Sequence, residues 1–193
     1  MSITTNTRKL SPEIIDRAMR GLEPDFVRTI SVEAVPGSNL SEADPYLLGC
    51  RMHNLLFRTK DRGPLSREEK ELLPWLAAIR KELRKFGMRY MEPEVSLPAT
   101  EELPAGRTDW LMRGGITDLG VGEMKVTAFL PAEASGSALV QLGGYAELTA
   151  KKYGDSRIWA VLVHVSIKEK KVRLFIHRGS TMLRRRACPL LAA

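Results

Sequence analysis

The sequence predicts an α/β protein in which helices flank a mixed central β-sheet, with a helical region at the N-terminus. Three observations carry this. Apolar residues recur at helical spacing as far as Gly87, and after it the pattern turns to that of strands. The stretch "RIWAVLVHVSI" is the most apolar in the chain and reads as a central strand. Between a predicted hairpin and that strand lies "SALVQLGGYAELTAKKYG", a crossover of the length that parallel pairing needs.

Taken in order, Ser11, Pro12 and Glu13 read as the cap and first turn of a helix carrying Ile14, Ile15, Ala18, Met19 and Leu22 at helical spacing. The segment "EPDFVRTISVEAVPGSNLSEAD" is broken by Pro and Gly and reads as a connector. A second helix is expected from about Pro45 to Thr59. Ser66 and Glu69 form a capping-box pattern that opens a third. Pro74 interrupts it, which predicts a kink or two short helices. Trp75, Ile79 and Leu83 then share a face, and Gly87 is a natural C-terminal stop. "YMEPEVSLP" reads as extended. "GRTDWLM" and "VGEMKVTAF" read as strands joined by the turn residues of "RGGITDLG", hence as a hairpin. "KEKK" is a charged turn before a last strand, "VRLFIH", and "RRRACPLLAA" has no evident assignment.

A chain of 193 residues with 44% hydrophobic and 27% charged residues suits one domain with a real core. The expected division is an N-terminal helix and connector over 1–42, a main domain over 43–180 and a basic tail over 181–193. No apolar run approaches the roughly 20 residues that cross a bilayer, so no membrane partner is expected. "MSITTNTRKL" lacks the apolar stretch of a secretory signal. Cys50 and Cys188 stand alone, which excludes a CxxC zinc pattern and a disulfide framework and predicts a cytoplasmic setting. The net charge of +7 favours a polyanionic partner, nucleic acid first.

Glu-x-Lys occurs three times. Glu68/Lys70 falls at a helix start and Glu169/Lys171 in a turn, both as solvated surface. Glu123/Lys125 falls in an apolar strand, where residues two apart share a face. Asp109, in the preceding strand, comes close to Glu123 if the two strands pair. Two carboxylates so placed repel unless a proton or cation lies between them. A divalent ion with oxygen ligands, Mg2+ or Mn2+, resolves this, and Lys125 beside it can orient a water or stabilise a phosphoanion. The alternative is a surface cross-strand salt bridge. Gln141 and Tyr145, four apart on a helix, share a face and can hold a water, the lysine or a nucleic-acid backbone; alone they are the polar edge of an amphipathic helix.

In order and spacing, "GRTDW", "GEMKV" and "QLGGY" resemble the PD-(D/E)XK nuclease superfamily, closest to its RecB-type and CRISPR-associated-exonuclease branch. The match runs from about Met91 to Val165, with "EPEVSLP" resembling the extended segment before the Asp. The resemblance implies a restriction-endonuclease-like core over 43–180. It implies Asp109, Glu123 and the carbonyl of Met124 as metal ligands, Lys125 serving the attacking water, and Gln141 and Tyr145 as an auxiliary pair. Gly49 and His53 match a Gly-x-x-x-His pattern whose His joins the metal shell; the alternative is an ordinary helix histidine. Members of the branch that hold an iron–sulfur cluster use four cysteines. This chain has two, so no cluster is expected, and Cys50 reads as a small buried residue.

Arg107, Lys151, Lys152 and the run Arg184, Arg185, Arg186 are then candidate phosphate contacts, with the tail favoured because it shows no packing role. The expectation is a metal-dependent deoxyribonuclease working by in-line attack of water on phosphorus, in DNA repair, recombination or phage or defence DNA processing. DNA is its partner, with a helicase or recombination protein as a further candidate. The rivals are a catalytically silent nucleic-acid-binding module of the same fold and a regulatory protein-interaction domain.

Overall fold

The computed structural model describes residues 11–56, 63–114, 118–154 and 157–192. Their centre is a six-stranded sheet in the order β1-β6-β5-β4-β3-β2. The strands are β1 (Phe26–Ser31), β2 (Met88–Leu97), β3 (Gly106–Gly114), β4 (Asp118–Val126), β5 (Ile158–Ser166) and β6 (Lys171–His177). β4 and β5 pair in parallel, and every other neighbouring pair is antiparallel. The helices are α1 (Pro12–Met19), α2 (Pro45–Leu56), α3 (Arg67–Lys85), α4 (Gly136–Tyr153) and α5 (Thr181–Ala192). The expected end of α2 near Thr59 lies outside the described residues. Among the described residues no helix is long and apolar enough to cross a membrane.

Each face of the sheet closes its own core, giving three layers. On one face Ile15, Leu142, Leu183 and Leu191 pack with Val121, Leu162 and Phe175, which sets α1, α4 and α5 there. On the other, Leu48, Met52, Leu72 and Trp75 pack with Trp110, Met124 and Val163, which sets α2 and α3 there. Covered on both sides, β5 is buried at all of its positions, as its continuous apolar run predicts.

Four local expectations need correction. The helix through Pro74 does not break: α3 runs unbroken from Arg67 to Lys85. Its start is fixed by the capping box, with Ser66 Oγ accepting from the Glu69 N–H at 3.1 Å and Glu69 Oε2 accepting from the Ser66 N–H at 2.7 Å. Leu72, Trp75, Leu76, Ile79 and Leu83 are all buried along one stripe. At about 1.5–3 kcal/mol each, they outweigh the roughly 3 kcal/mol that an interior proline costs. The "connector" contains β1, paired with β6 from Phe26↔Ile176 to Ser31↔Lys171. As an edge strand with four of its six residues exposed and none buried it lacks clean alternation, and its sequence reads weakly. Cys50 is exposed, not buried: Leu48, Met52 and Leu55 form the inward stripe of α2, and position 50 points away from it.

The fourth correction concerns the basic end of the chain, which forms α5 and has a packing role. Leu183, Ala187 and Leu191 are buried against α4. The two glycines of "QLGGY" make this possible. A Cβ at Gly143 would lie 2.4 Å from Ala187 Cβ and 2.9 Å from the Leu183 carbonyl; one at Gly144 would lie 2.4 Å from Leu191 Cδ1. Gly143→Ala is therefore expected to lower stability by about 1–3 kcal/mol in urea unfolding, although alanine is the better helix former by about 1 kcal/mol. A gain in stability would mean that α5 does not pack this closely.

Candidate active site

The β3–β4 register pairs Trp110 with Gly122, so the next step of the ladder sets Asp109 opposite Glu123. Gly122 permits this closeness, since a Cβ there would lie 2.0 Å from the Trp110 ring. Beyond that pair the strands part, and the buried Thr108 hydroxyl bridges the gap by donating to the Gly122 carbonyl at 2.9 Å. The turn residues 115–117 lie outside the described residues.

Strand parity aims Glu123 and Lys125 at α4, because Leu119 and Val121 belong to the core on that face and Met124 to the other. Lys125 Nζ lies 2.5 Å from Glu123 Oε1 and donates to Gln141 Oε1 at 3.3 Å. Gln141 Nε2 donates in turn to the Tyr145 hydroxyl at 2.8 Å. The pair four apart on α4, whose N-terminus Ser135 caps, thus reaches the hairpin through the lysine. On the other side Asp109 Oδ2 accepts from the Met124 N–H at 2.7 Å, and Asp109 Oδ1 lies 3.4 Å from His53 Nδ1. The structure therefore brings together Asp109, Glu123, Lys125, Gln141, Tyr145 and His53, which come from four elements. N–H and C=O of one strand residue point to the same side, so the Met124 carbonyl is directed toward Asp109 as well.

Burial grades across the site. The side chain of Glu123 is 6% exposed, that of Asp109 15% and that of Lys125 38%. Burial pushes the Asp109 carboxyl up to about 6, against the pull of the Met124 N–H and of Lys125. Burial, and then the neighbouring Asp109, push Glu123 up to about 7. Burial lowers the His53 imidazole below its ordinary value, with Glu123 opposing, and raises the Tyr145 phenol above its own. The site has more negative charge than its single lysine offsets.

Among the described residues Glu123 Oε2 is buried without a hydrogen-bond partner, an open acceptor beside a second carboxylate. Two carboxylates, a backbone carbonyl and an imidazole are the donor types that suit Mg2+ or Mn2+, and the nitrogen favours manganese. Among the described residues no three His, Cys, Asp or Glu side chains stand grouped as a metal cage. Lys125 takes one oxygen of Glu123 and the Met124 N–H one oxygen of Asp109. The donors suit the ion in type, and Glu123 Oε2 stays open while Lys125 holds Oε1.

The expected phosphate contacts fare differently. Arg107 pairs with Glu94 at 3.0 Å, with both groups 41% exposed. Lys151 pairs with Glu102 at 2.9 Å, and Lys152 donates to the Ser96 carbonyl at 3.0 Å. Arg184 pairs with Glu147 at 2.6 Å, and Arg186 donates to the Arg20 carbonyl at 2.7 Å. Arg185 is exposed. The tail arginines at 184 and 186 hold α5 in place, a role invisible before α5 is docked.

His164 and Thr108 escaped the sequence reading. His164 is the register partner of Lys125 on β5, is 6% exposed, and neither ring nitrogen has a hydrogen-bond partner among the described residues. Burial, then Lys125 and Arg173, lower its pKa to about 4, so it stands neutral beside the lysine. A lone polar residue within "AVLVHVS" was the available signal.

No family model matches the chain. No curated protein matches it either. The solved structure of SSO0001 is similar at 16% identity over 79% of this chain and 86% of that one, with a TM-score of 0.37, too low to bear on fold or function.

Proposed function

We propose that the protein is a divalent-metal-dependent nuclease of PD-(D/E)XK type, with a restriction-endonuclease-like core, that hydrolyses DNA phosphodiesters. The observation that carries this is the row Glu123–Lys125–Gln141–Tyr145 set beside Asp109, with Glu123 Oε2 buried and unsatisfied. A surface salt bridge needs none of this: neither a buried second carboxylate nor a helix pair tied to the lysine.

Asp109, Glu123, the Met124 carbonyl and His53 would hold the ion. When bound, Mg2+ or Mn2+ neutralises the carboxylates, lowers the pKa of water and polarises the phosphoryl oxygen. Lys125, the most exposed member of the row, orients the attacking water and stabilises charge developing on the phosphoryl oxygens. Gln141 limits its swing by accepting from Nζ, and Tyr145 fixes the amide by accepting from Nε2. Low exposure of Glu123 and Asp109 keeps bulk water from competing for their oxygens. The net charge of +7 suits a polyanionic substrate.

A second reading, a binding module of this fold without turnover, draws on Lys125 lying on Glu123 and on the lack of a formed cage among the described residues. One assay separates the two. Labelled DNA, linear and circular, is incubated with the protein in Mg2+, in Mn2+ and in excess EDTA. Metal-dependent cleavage that EDTA abolishes is the expected result. Cleavage that survives EDTA sinks the metal mechanism, and binding without cleavage in either metal selects the silent module.

A further inference from the structure

We infer that the cleft at the N-terminus of α5 binds a phosphomonoester of a hydroxyl-bearing molecule, held by its phosphate group. The inference is independent of the nuclease reading, because the cleft lies at the other end of the sheet. Ala160, the register partner of His177 at the cleft, comes four residues before His164, the partner of Lys125. At about 3.3 Å per residue the two ends of β5 so marked are about 13 Å apart.

The chain leaves β6 at His177 and enters α5 through Ser180, whose carbonyl accepts the first helical bond, from the Arg184 N–H at 2.9 Å. The N–H groups of Thr181, Met182 and Leu183 therefore have no partner within the helix. Such a helix end carries about half a positive charge and takes up anions. Two buried side chains from different elements point to a ligand there. Ser180 and His177 are each 4% exposed, and among the described residues neither Ser180 Oγ nor His177 Nε2 has a hydrogen-bond partner. Both line a cleft of about 410 Å³ together with Glu23, Asp25, Thr181 and Arg186. A buried polar atom is normally satisfied by protein, water or ligand. Burial, opposed by Asp25, lowers the His177 pKa to about 4, so its ring is neutral and in the Nε2–H tautomer donates.

The order of these groups selects the ligand. Donors lie at the buried floor: the Ser180 hydroxyl, the His177 ring and the helix end. Arg186 spends one nitrogen on the Arg20 carbonyl at 2.7 Å and forms no ion pair among the described residues, so its guanidinium keeps donors for an oxyanion. Arg178 contributes less, since its guanidinium lies over the Trp159 ring, 5.3 Å from the centroid. Glu23 and Asp25 are exposed at the rim. Phosphate oxygens only accept, which fits the floor, while carboxylates at the rim repel a second anion and accept from hydroxyl groups. A phosphate with one hydroxyl-bearing substituent satisfies both ends, and a polyphosphate does not. The volume lies within the range of about 300–1,000 Å³ usual for small-molecule pockets.

The test is isothermal titration calorimetry on the full chain at constant ionic strength. Ribose 5-phosphate and adenosine monophosphate carry both parts of the ligand, and inorganic phosphate and ribose carry one each. At least one of the two esters is expected to bind about 10-fold or more tightly than either part alone. Ser180→Gly removes the hydroxyl and suits the left-handed backbone there, with φ at +42°, so it keeps the fold. Thr181→Glu places a carboxylate in the first turn of α5, where it stabilises the helix and competes with the phosphate. Each is expected to weaken the ester about 10- to 100-fold. His177→Leu does the same and His177→Gln, which keeps a donor, restores most of the affinity. Thermal melting checks the fold of each variant. Ester binding unmoved by Ser180→Gly and Thr181→Glu overturns the site at α5, and inorganic phosphate binding as tightly as the esters overturns the choice of ligand. Absence of binding by both esters overturns the inference and leaves the nuclease reading standing.

Discussion

Lys125→Ala is expected to lose cleavage by about 10²- to 10⁴-fold while keeping its fold, read as single-turnover rates beside circular dichroism. The side chain is 38% exposed near the end of β4, so its removal costs the core nothing. Its amine donates to Glu123 from within hydrogen-bond reach, and Gln141 and Tyr145 hold it there. Lys125→Arg is expected to recover little, because a planar fork cannot take the place of a compact ammonium between Glu123 and Gln141. Unchanged magnesium-dependent cleavage in Lys125→Ala would remove Lys125 from the mechanism. Loss of cleavage accompanied by unfolding would reduce it to a structural ion pair.

Glu123→Gln is expected to do the opposite to stability: it raises the melting temperature of the metal-free protein at pH 8 and abolishes cleavage. The folded-state values of Asp109 and Glu123, about 6 and about 7, lie above their ordinary values of 3.8 and 4.5. Between about pH 4 and 7 the folded chain binds more protons than the unfolded one. The stability tied to this is complete below the unfolded values and is lost as pH rises through 6 and 7. At pH 8 the buried pair therefore costs about 3–6 kcal/mol, and an uncharged glutamine in place of Glu123 removes part of that cost. His164 and His177, both lowered to about 4, act in reverse, since their contribution is present above about 6.5 and lost as pH falls. The measurement is thus the difference in Tm between Glu123→Gln and the parent, and not the raw profile of either. It should be positive by about 3–10 °C at pH 8 and shrink toward zero near pH 4. Mg2+ or Mn2+ should raise the Tm of the parent at pH 8 and have little effect on the variant. A difference that does not change with pH would contradict the buried-charge reading of the pair.

Much of this architecture was legible beforehand. The capping box, the α4 crossover, the β3–β4 hairpin and the buried β5 each follow from a local rule with a short range: a cap spans three residues, a helix repeats every 3.6, a strand every two. Strand parity also predicted that Glu123 and Lys125 share a face, and the four-residue spacing did the same for Gln141 and Tyr145. Pro74 was misread because a proline penalty is local while the stripe of Trp75, Ile79 and Leu83 that outweighs it acts against residues far along the chain. β1 was missed because an edge strand carries half of the pattern of a central one.

By itself, then, the sequence determined the α/β class, the order of most elements and which residues of each could share a face, because those depend on neighbours within a turn or a strand. Tertiary structure alone decided which charges remain available. Arg184 is spent on Glu147 and Lys151 on Glu102, which depends on α5 docking over Gly143 and on the loop before β3 reaching α4. It alone also decided that His53 converges with Asp109 and Glu123, since a helix residue so far from both along the chain meets them only when α2 packs on β3 and β4. The physical reason is range: a hydrogen bond or an ion pair acts over a few ångströms, and only the folded chain sets which groups come within that distance.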